Sequence, residues 1–257
     1  MTDKKYVLVL GSKPDSKLPD IKVKKIYTAN GAAERALFYK KKFFNVEHIS
    51  LIGAKEFMEN KNVSTRVINS KPDKLIIRMG KIEIPNELSK TKDIFYLSQK
   101  EQFDFQSQFY KLGKIDLIFG ESFYYEDSLK KIIRHIRMCM MFRGFLGAST
   151  GFYSILLALH ENPDCDVIVS GVGLTEGGHY YTAKNSYGFV SRTAKELISK
   201  NKVVLTNKFR NTSRCRVERF LINRVKSKYK KRIISTDDSI VYIGNLKKWS
   251  RKCLGGS

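Results

Sequence analysis

Short apolar runs alternate with segments of helical spacing along most of this chain. The clearest runs occupy residues 6–10, 48–52 and 167–170, and each is followed within a residue or two by Gly or a small polar residue. Short apolar runs bounded by turn residues are typical of buried strands. By the same criteria we expect further strands at 25–28, 74–78, 93–98, 115–119, 203–206 and 240–243.

Helical segments separate these runs. Residues 32–42 are rich in helix-favouring types, 122–143 carry one apolar face, and 149–160 form an apolar stretch behind a capping serine. Two more helices are expected at 190–200 and 213–232. Strands that alternate with helices predict an α/β fold: a Rossmann-like parallel sheet with helices on both faces. Ligands of such sheets bind beyond the carboxyl ends of the strands.

The chain has 257 residues, of which 42% are hydrophobic, enough for a substantial core. We expect a single domain over 1–254, with a less regular insert or lid at about 55–110 and a basic helical region at about 208–232. The last three residues, Gly-Gly-Ser, have the composition of a linker and are left aside.

The formal net charge of +23 predicts an anionic partner: nucleic acid, an anionic membrane surface or a phosphorylated substrate. The basic residues of 213–232 are interleaved with apolar ones, which suits an anionic membrane surface and equally a solvated helix. No apolar run reaches about 18 residues, so membrane association is expected to be peripheral. The four cysteines lack metal-ligand spacing, which indicates reduced thiols and no zinc.

Several polar positions lie where strands are expected to end. A turn at Gly11-Ser12 can bring backbone N–H groups to a phosphate, or it is an ordinary turn. Asn30 can meet a ribose or a pyrimidine edge, or form an Asn-Gly turn. The residues Ser149, Thr150 and Gly151 open a helix whose first N–H groups suit an anion, a role compatible with plain capping by the serine.

The segment 170–181 carries the richest chemistry. Ser170 and Gly171 begin it, Glu176 and His179 follow, and its glycines allow close approach of the backbone to a ligand. His179 can act in acid–base chemistry or donate to a phosphate. Glu121 follows another expected strand and is either a catalytic carboxylate or a charge favoured at a helix start.

Together these residues resemble a known family. Residues 149–153 and 167–174 resemble two motifs of bacterial lipooligosaccharide sialyltransferases, while the Gly-Gly-His-Tyr-Tyr sequence at 177–181 is closer to the related β-Kdo transferases. Gly11 to Pro14 and Asn30 fall where that group has its own Gly-rich turn and Asn. Residues 148–187 carry most of the similarity.

The resemblance implies a sialyltransferase-like glycosyltransferase architecture and a CMP-sugar donor, CMP-Kdo or CMP-sialic acid, with no metal or other cofactor. The acceptor would be a bacterial surface glycan or glycolipid, such as lipopolysaccharide, lipooligosaccharide or capsule. Such an enzyme would work in the cytoplasm, peripherally on the inner membrane. Its partners would be donor, acceptor and, through the basic C-terminal region, the anionic membrane surface.

The resemblance also implies residue roles. Gly11 and Ser12 would lie near the phosphate and Asn30 near the nucleotide or sugar. Ser149, Thr150 and Gly151 would line the sugar or cytidine site, and Ser170 and Gly171 would border the cytidine pocket.

The chain departs from the family pattern at the chemical step. Gly173 stands where the family has Asp, and residues 186–192 lack the family's His. The catalytic candidates are therefore His179, Glu121 and Glu176, with Tyr187 as a substitute for the missing His and Arg192 as a phosphate ligand. Two other functions remain open: a basic nucleic-acid-binding protein, and a transferase that uses another nucleotide-sugar, such as a UDP-sugar.

Overall fold

The structure, a computed structural model, describes residues 5–13, 16–119, 133, 147–172 and 214–249. Within them, eight parallel strands form one sheet in the order β5-β4-β3-β2-β1-β6-β7-β8. The strands are β1 Lys5–Leu10, β2 Lys25–Ala29, β3 Glu47–Gly53, β4 Lys74–Arg78, β5 Asp93–Leu97, β6 Cys165–Ser170, β7 Ile233–Ser235 and β8 Lys247–Lys248.

Helices connect the strands. They are α1 Ala33–Lys42, α2 Ala54–Glu59, α3 Lys61–Ser70, α4 Gln99–Ser107, α5 Lys114–Phe119, α6 Thr150–Glu161, α7 Arg214–Arg224, α8 Ser227–Lys230 and α9 Asp238–Gly244. In the described part of the chain no helix is both long and apolar enough to span a bilayer.

Both faces of the sheet are covered by helices, as the sequence predicted. In β1, Val7 and Val9 face α6, whereas Leu8 and Leu10 join a cluster with Ala36 and Tyr39 of α1. Strands buried on both faces are characteristic of parallel sheets. The α/β parallel fold is therefore confirmed.

Residues 55–110 are more regular than the insert or lid that we expected. They contain most of α2 and all of α3, β4, β5 and α4, and both strands belong to the main sheet. The buried side chains of α2 and α3 are spaced by three or four residues among polar ones: Ala54, Phe57, Val63 and Val67. With so few apolar positions, the helical periodicity of this part of the sequence is weak, and for that reason α2 and α3 were not predicted.

Two expected strands are helices instead. Residues 115–119 lie in α5 and 240–243 lie in α9. Short apolar runs do not separate strand from buried helix, and the deciding signal is the polar start of each run. Asp116 accepts a hydrogen bond from the Gly113 N–H (2.8 Å), and Asp237 and Asp238 stand at the start of α9. The segments expected at 122–143, 190–200 and 203–206 lie outside the described residues, apart from Ile133.

The order of the strands creates a topological switch point between β1 and β6. From β1 the chain continues to β2 on one side, and from β6 it continues to β7 on the other. Connections that leave two neighbouring strands in opposite directions open a crevice at their carboxyl ends, where ligands of such sheets bind. Gly11 and Gly171 follow these two strands directly.

Candidate functional site

The turns after β1 and β6 touch each other at the switch point. Gly11 donates its N–H to the Ser170 carbonyl (2.8 Å), and Lys13 donates its N–H to the Gly171 carbonyl (2.8 Å). A Cβ on Gly11 would lie 2.1 Å from the Gly171 oxygen, and Gly171 itself has a φ of +75°. Only glycine fits at either position, so the first requirement on these two glycines is backbone packing.

The side chain of Arg35, in α1, forms hydrogen bonds with the turn after β1 and with the end of β6. Its guanidinium donates to the Gly11 carbonyl (2.8 Å), the Ser16 carbonyl (2.9 Å) and the Ser170 hydroxyl (3.3 Å). The Ser170 hydroxyl in turn donates to the Lys17 carbonyl (2.7 Å) and is fully buried. The side chain of Ser170 thus joins the loop after β1 to the end of β6.

Asp237 is a buried carboxylate at the same edge, two residues after the end of β7. Its Oδ2 accepts a hydrogen bond of 2.6 Å from the Gly171 N–H. Burial raises the pKa of Asp237, against the opposing effects of that N–H and of the Lys13 and Arg35 charges. A buried carboxyl with a perturbed pKa in a cleft is typical of functional sites. The sequence offered one signal for it, an Asp-Asp pair just after the apolar residues 233–234.

The N-terminus of α6 lies against the carboxyl ends of β2 and β6. The Ser149 hydroxyl accepts the Phe152 N–H (3.2 Å), and a Cβ on Gly151 would lie 3.2 Å from Val172 and 3.9 Å from the Ala29 Cβ. The first N–H groups of a helix have no partner within it, and the helix dipole makes this end positive. An anion is therefore favoured here.

Two side chains that sequence reasoning missed fix the start of α6. Arg78, at the end of β4, donates to the Ala148 carbonyl (3.0 Å), while Gln106 of α4 accepts the Ala148 N–H (3.0 Å). Arg78 also donates to Gln102 (2.9 Å) and lies 4.5 Å from the centre of the Tyr153 ring. Its side chain is buried, and nothing in the local sequence distinguishes it from the many exposed basic residues.

Asn30 lies one strand further along the same edge. It has a φ of +52°, and its Oδ1 accepts a long hydrogen bond (3.4 Å) from the Gly53 N–H. The amide thus links the carboxyl ends of β2 and β3. Asn30 is half-buried.

Most of the described candidates from the sequence meet at this edge of the sheet. Gly11, Ser170 and Gly171 form the central contact, buried Ser12 follows Gly11 in the same turn, and Asn30 and the start of α6 lie beside it. Five other candidates, Glu121, Glu176, His179, Tyr187 and Arg192, lie outside the described residues. Among the residues that the structure describes, no group of His, Cys, Asp and Glu could hold a metal ion.

Comparison with models of protein families, with curated proteins and with solved structures gave no match.

Gly11→Ala tests the contact between the two turns. The added methyl would meet the Gly171 backbone, which has no flexible end to move aside. We expect a loss of at least about 3 kcal/mol in the free energy of unfolding, or no folded protein. Urea denaturation measures it. Gly53→Ala is the matched control, because a Cβ there lies 3.7 Å from its nearest neighbour at a φ of −75°. An equal loss of unfolding free energy in the two variants would contradict the close contact between Gly11 and Gly171.

Substitutions of Asp237 separate its charge from its hydrogen bond. A raised pKa means that the ionised carboxyl disfavours the native state, so native stability falls as the pH rises from the ordinary carboxyl range through the raised pKa. Asp237→Asn keeps an acceptor for the Gly171 N–H without the charge. It should raise the Tm at pH 7, and the advantage should shrink on acidification.

Asp237→Ala removes the acceptor and should lower stability by about 1–3 kcal/mol. Melting curves of the three proteins between about pH 3 and pH 8 measure both effects. A Tm of the Asn variant that follows the wild type at every pH would show that the charge of Asp237 is not disfavoured.

Proposed function

We propose that this protein is a glycosyltransferase that moves an acidic 2-keto sugar, Kdo or sialic acid, from a CMP donor to a bacterial surface glycan. The observation that carries the proposal is the position of the α6 N-terminus beside the switch point between β1 and β6. The stretch 149–153 at this helix start and the stretch 167–174, which includes the Gly171 turn, are the ones that resemble sialyltransferase motifs.

The proposed transfer requires that the phosphate of the departing CMP be stabilised. As the glycosidic bond to CMP breaks, negative charge collects on the phosphate and the sugar carbon gains oxocarbenium character. The first-turn N–H groups of α6, with the hydroxyls of Ser149 and Thr150, are fixed donors of the kind that stabilise such a charge. Rigid support of Ala148 by Arg78 and Gln106 would keep these donors in position.

An acceptor hydroxyl must also lose its proton. His179 is the proposed base, with Glu176 and Glu121 as the other candidates and Arg192 as a phosphate ligand. In this proposal Asp237 holds the Gly171 turn through its N–H. No metal is required, because fixed hydrogen-bond donors take the place of a cation at the phosphate.

The proposed setting is the cytoplasmic side of the inner membrane, with peripheral attachment and an acceptor that belongs to lipopolysaccharide, lipooligosaccharide or capsule. The charge of +23 also suits a second candidate, a nucleic-acid-binding protein. A UDP-sugar transferase is the third. Nucleotide binding distinguishes all three.

The first test is a melting screen with CMP, CDP, UMP and UDP. A ligand that binds only the native state stabilises it by about 2.7 kcal/mol at 100 times its Kd. We expect CMP to raise the Tm more than UMP or UDP. A UDP-selective shift would favour the other donor class, and no shift with any nucleotide, together with salt-sensitive binding to arbitrary DNA, would favour nucleic acid.

Thr150→Glu tests whether the phosphate of CMP binds at the N-terminus of α6. A carboxylate at the first position of α6 interacts favourably with the helix dipole, so the Tm without ligand should hold or rise. The same charge repels a phosphate and should abolish the CMP shift. Thr65→Glu, at an exposed position of α3, is the matched control. A full CMP shift in Thr150→Glu would exclude a phosphate at this helix end.

His179→Ala tests the catalytic assignment. General acid–base groups contribute about 10²–10⁴-fold to rates, so transfer from CMP-Kdo or CMP-sialic acid should fall by that factor. The Tm should change little. His160→Ala is the control, since His160 is an exposed residue at the other end of α6. Full transfer activity in His179→Ala would remove His179 from the mechanism.

A further inference from the structure

Five lysines lie in two distant segments that meet in the fold, and we call them the lysine patch: Lys111, Lys226, Lys228, Lys230 and Lys231. The segments meet at an antiparallel bridge between Tyr110 and Val225. Lys111 donates its N–H to the Arg224 carbonyl (2.7 Å), and Lys226 donates its N–H to the Phe109 carbonyl (2.8 Å). Residues 224–232 hold six basic side chains and no acidic one.

The charges of the lysine patch are not neutralised within the described parts of the chain. There, none of the five ammonium groups lies within 4 Å of a carboxylate, whereas Lys40 and Lys74 pair with Asp73 (3.1 Å) and Glu161 (3.3 Å). Burial and the nearby charge of Lys111 lower the pKa of Lys230. Neighbouring like charges favour a counter-charge supplied from outside.

The backbone under the lysine patch is fixed. The Tyr229 ring packs against Phe109 with 4.8 Å between ring centroids. Arg232 donates from Nε to the Cys165 carbonyl (3.0 Å) and from Nη1 to the Leu159 carbonyl (3.2 Å) in the last turn of α6. One-turn helix α8 contains Tyr229 and ends two residues before Arg232, so it presents its lysines without a large ordering cost on binding.

The lysine patch and the crevice lie at opposite edges of the sheet. Arg232 precedes β7 and binds the C-terminal end of α6, so the patch belongs to the amino ends of the strands. Gly11, Gly171 and the α6 N-terminus belong to the carboxyl ends. Strands of five or six residues, at about 3.3 Å per residue, separate the two edges by roughly 17–20 Å.

We propose that the lysine patch docks the protein on an anionic lipid bilayer, separately from the crevice at the other edge. Lysine ammonium groups are compact point charges that suit a diffuse anionic surface. They lack the planar guanidinium with which arginine binds a phosphate through two hydrogen bonds. Base stacking needs an accessible ring, and the aromatic residue of this segment, Tyr229, is half-buried against Phe109. One-turn α8 is also too short to lie along a nucleic-acid groove.

When the lysine patch binds the bilayer, the crevice at the carboxyl ends of the strands lies on the side of the sheet away from the lipid. A soluble donor reaches it without displacing the membrane, so membrane binding and CMP binding should be independent. This part of the inference rests on the proposed function: the acceptor hydroxyl would stand off from the lipid headgroups by about a strand length, as the outer sugars of a glycan do. The docking itself holds for any ligand of the crevice.

The experiment measures binding of the full chain to vesicles of phosphatidylcholine with phosphatidylserine. Each lysine near an anionic surface contributes about fivefold to affinity, so the triple variant Lys228→Gln, Lys230→Gln, Lys231→Gln should bind about 100-fold more weakly. The control with the same charge loss is Lys81→Gln, Lys90→Gln, Lys92→Gln, at exposed positions between β4 and β5. It should bind nearly as the wild type does, and saturating CMP should leave vesicle binding unchanged.

Three outcomes would overturn the docking proposal. Equal losses in the two triple variants would show that net charge, not the lysine patch, drives binding. Equal binding to vesicles without phosphatidylserine would exclude an electrostatic surface. Tight binding to duplex DNA or RNA that only the patch triple loses, with vesicle binding unaffected, would assign the patch to nucleic acid. A missing CMP shift would count against the proposed function alone, since vesicle binding is measured without nucleotide.

Discussion

The contact between the backbones of Gly11 and Gly171 is the constraint on which the carboxyl edge of this sheet depends. It brings the turns after β1 and β6 together at the point where the chain direction reverses. Arg35 and Asp237 then bind the two turns from α1 and from the end of β7. The switch point is therefore closed at its base by the protein itself, and in the proposed function the ligand lies above the turns, toward the start of α6.

Helix α6 connects this edge to the opposite one. Its residues from Phe152 to Leu159 are all buried, so the helix is held rigidly against the sheet. Arg78 and Gln106 bind the residue before its cap, and Arg232 binds carbonyls at its last turn. The same helix thus positions the candidate anion site at one end and, through Arg232, the lysine patch at the other.

The sequence predicts the centre of the fold better than its margins. β1 and β6 contain continuous apolar runs, and only His48 and Ser50 interrupt the apolar run of β3, because parallel strands buried on both faces tolerate few polar residues. β7 has three residues after a basic segment, too few for any pattern, and α5 and α9 are short apolar runs of the kind that also suits a strand.

The supporting residues of the site are harder still to predict. Gly11, Ser149 and Gly171 follow or precede apolar runs, so their place at the carboxyl edge of the sheet can be predicted from the sequence, whereas the contact between the two glycine turns cannot. Arg35, Arg78 and Asp237 act on residues that are 24, 70 and 66 positions away in the chain. The residues next to each of these side chains in the sequence do not indicate such distant partners, so the partners become known only from the fold.

Burial divides the basic residues into two groups with different consequences. The guanidinium groups of Arg35 and Arg78 belong to residues only 8% and 4% exposed, and they donate to backbone carbonyls. Burying a cation is unfavourable unless fixed acceptors replace water, which the turns and the start of α6 provide. These charges hold the fold together and are not available to a distant anion.

The lysines of the patch are the opposite case, exposed or half-buried and without carboxylate partners among the described residues. The buried arginines are two of the 48 basic residues, so the net charge of +23 still predicts an anionic partner. Among the described residues, the lysine patch is a group of such charges at the amino edge of the sheet, so the partner that it attracts need not be the ligand of the crevice.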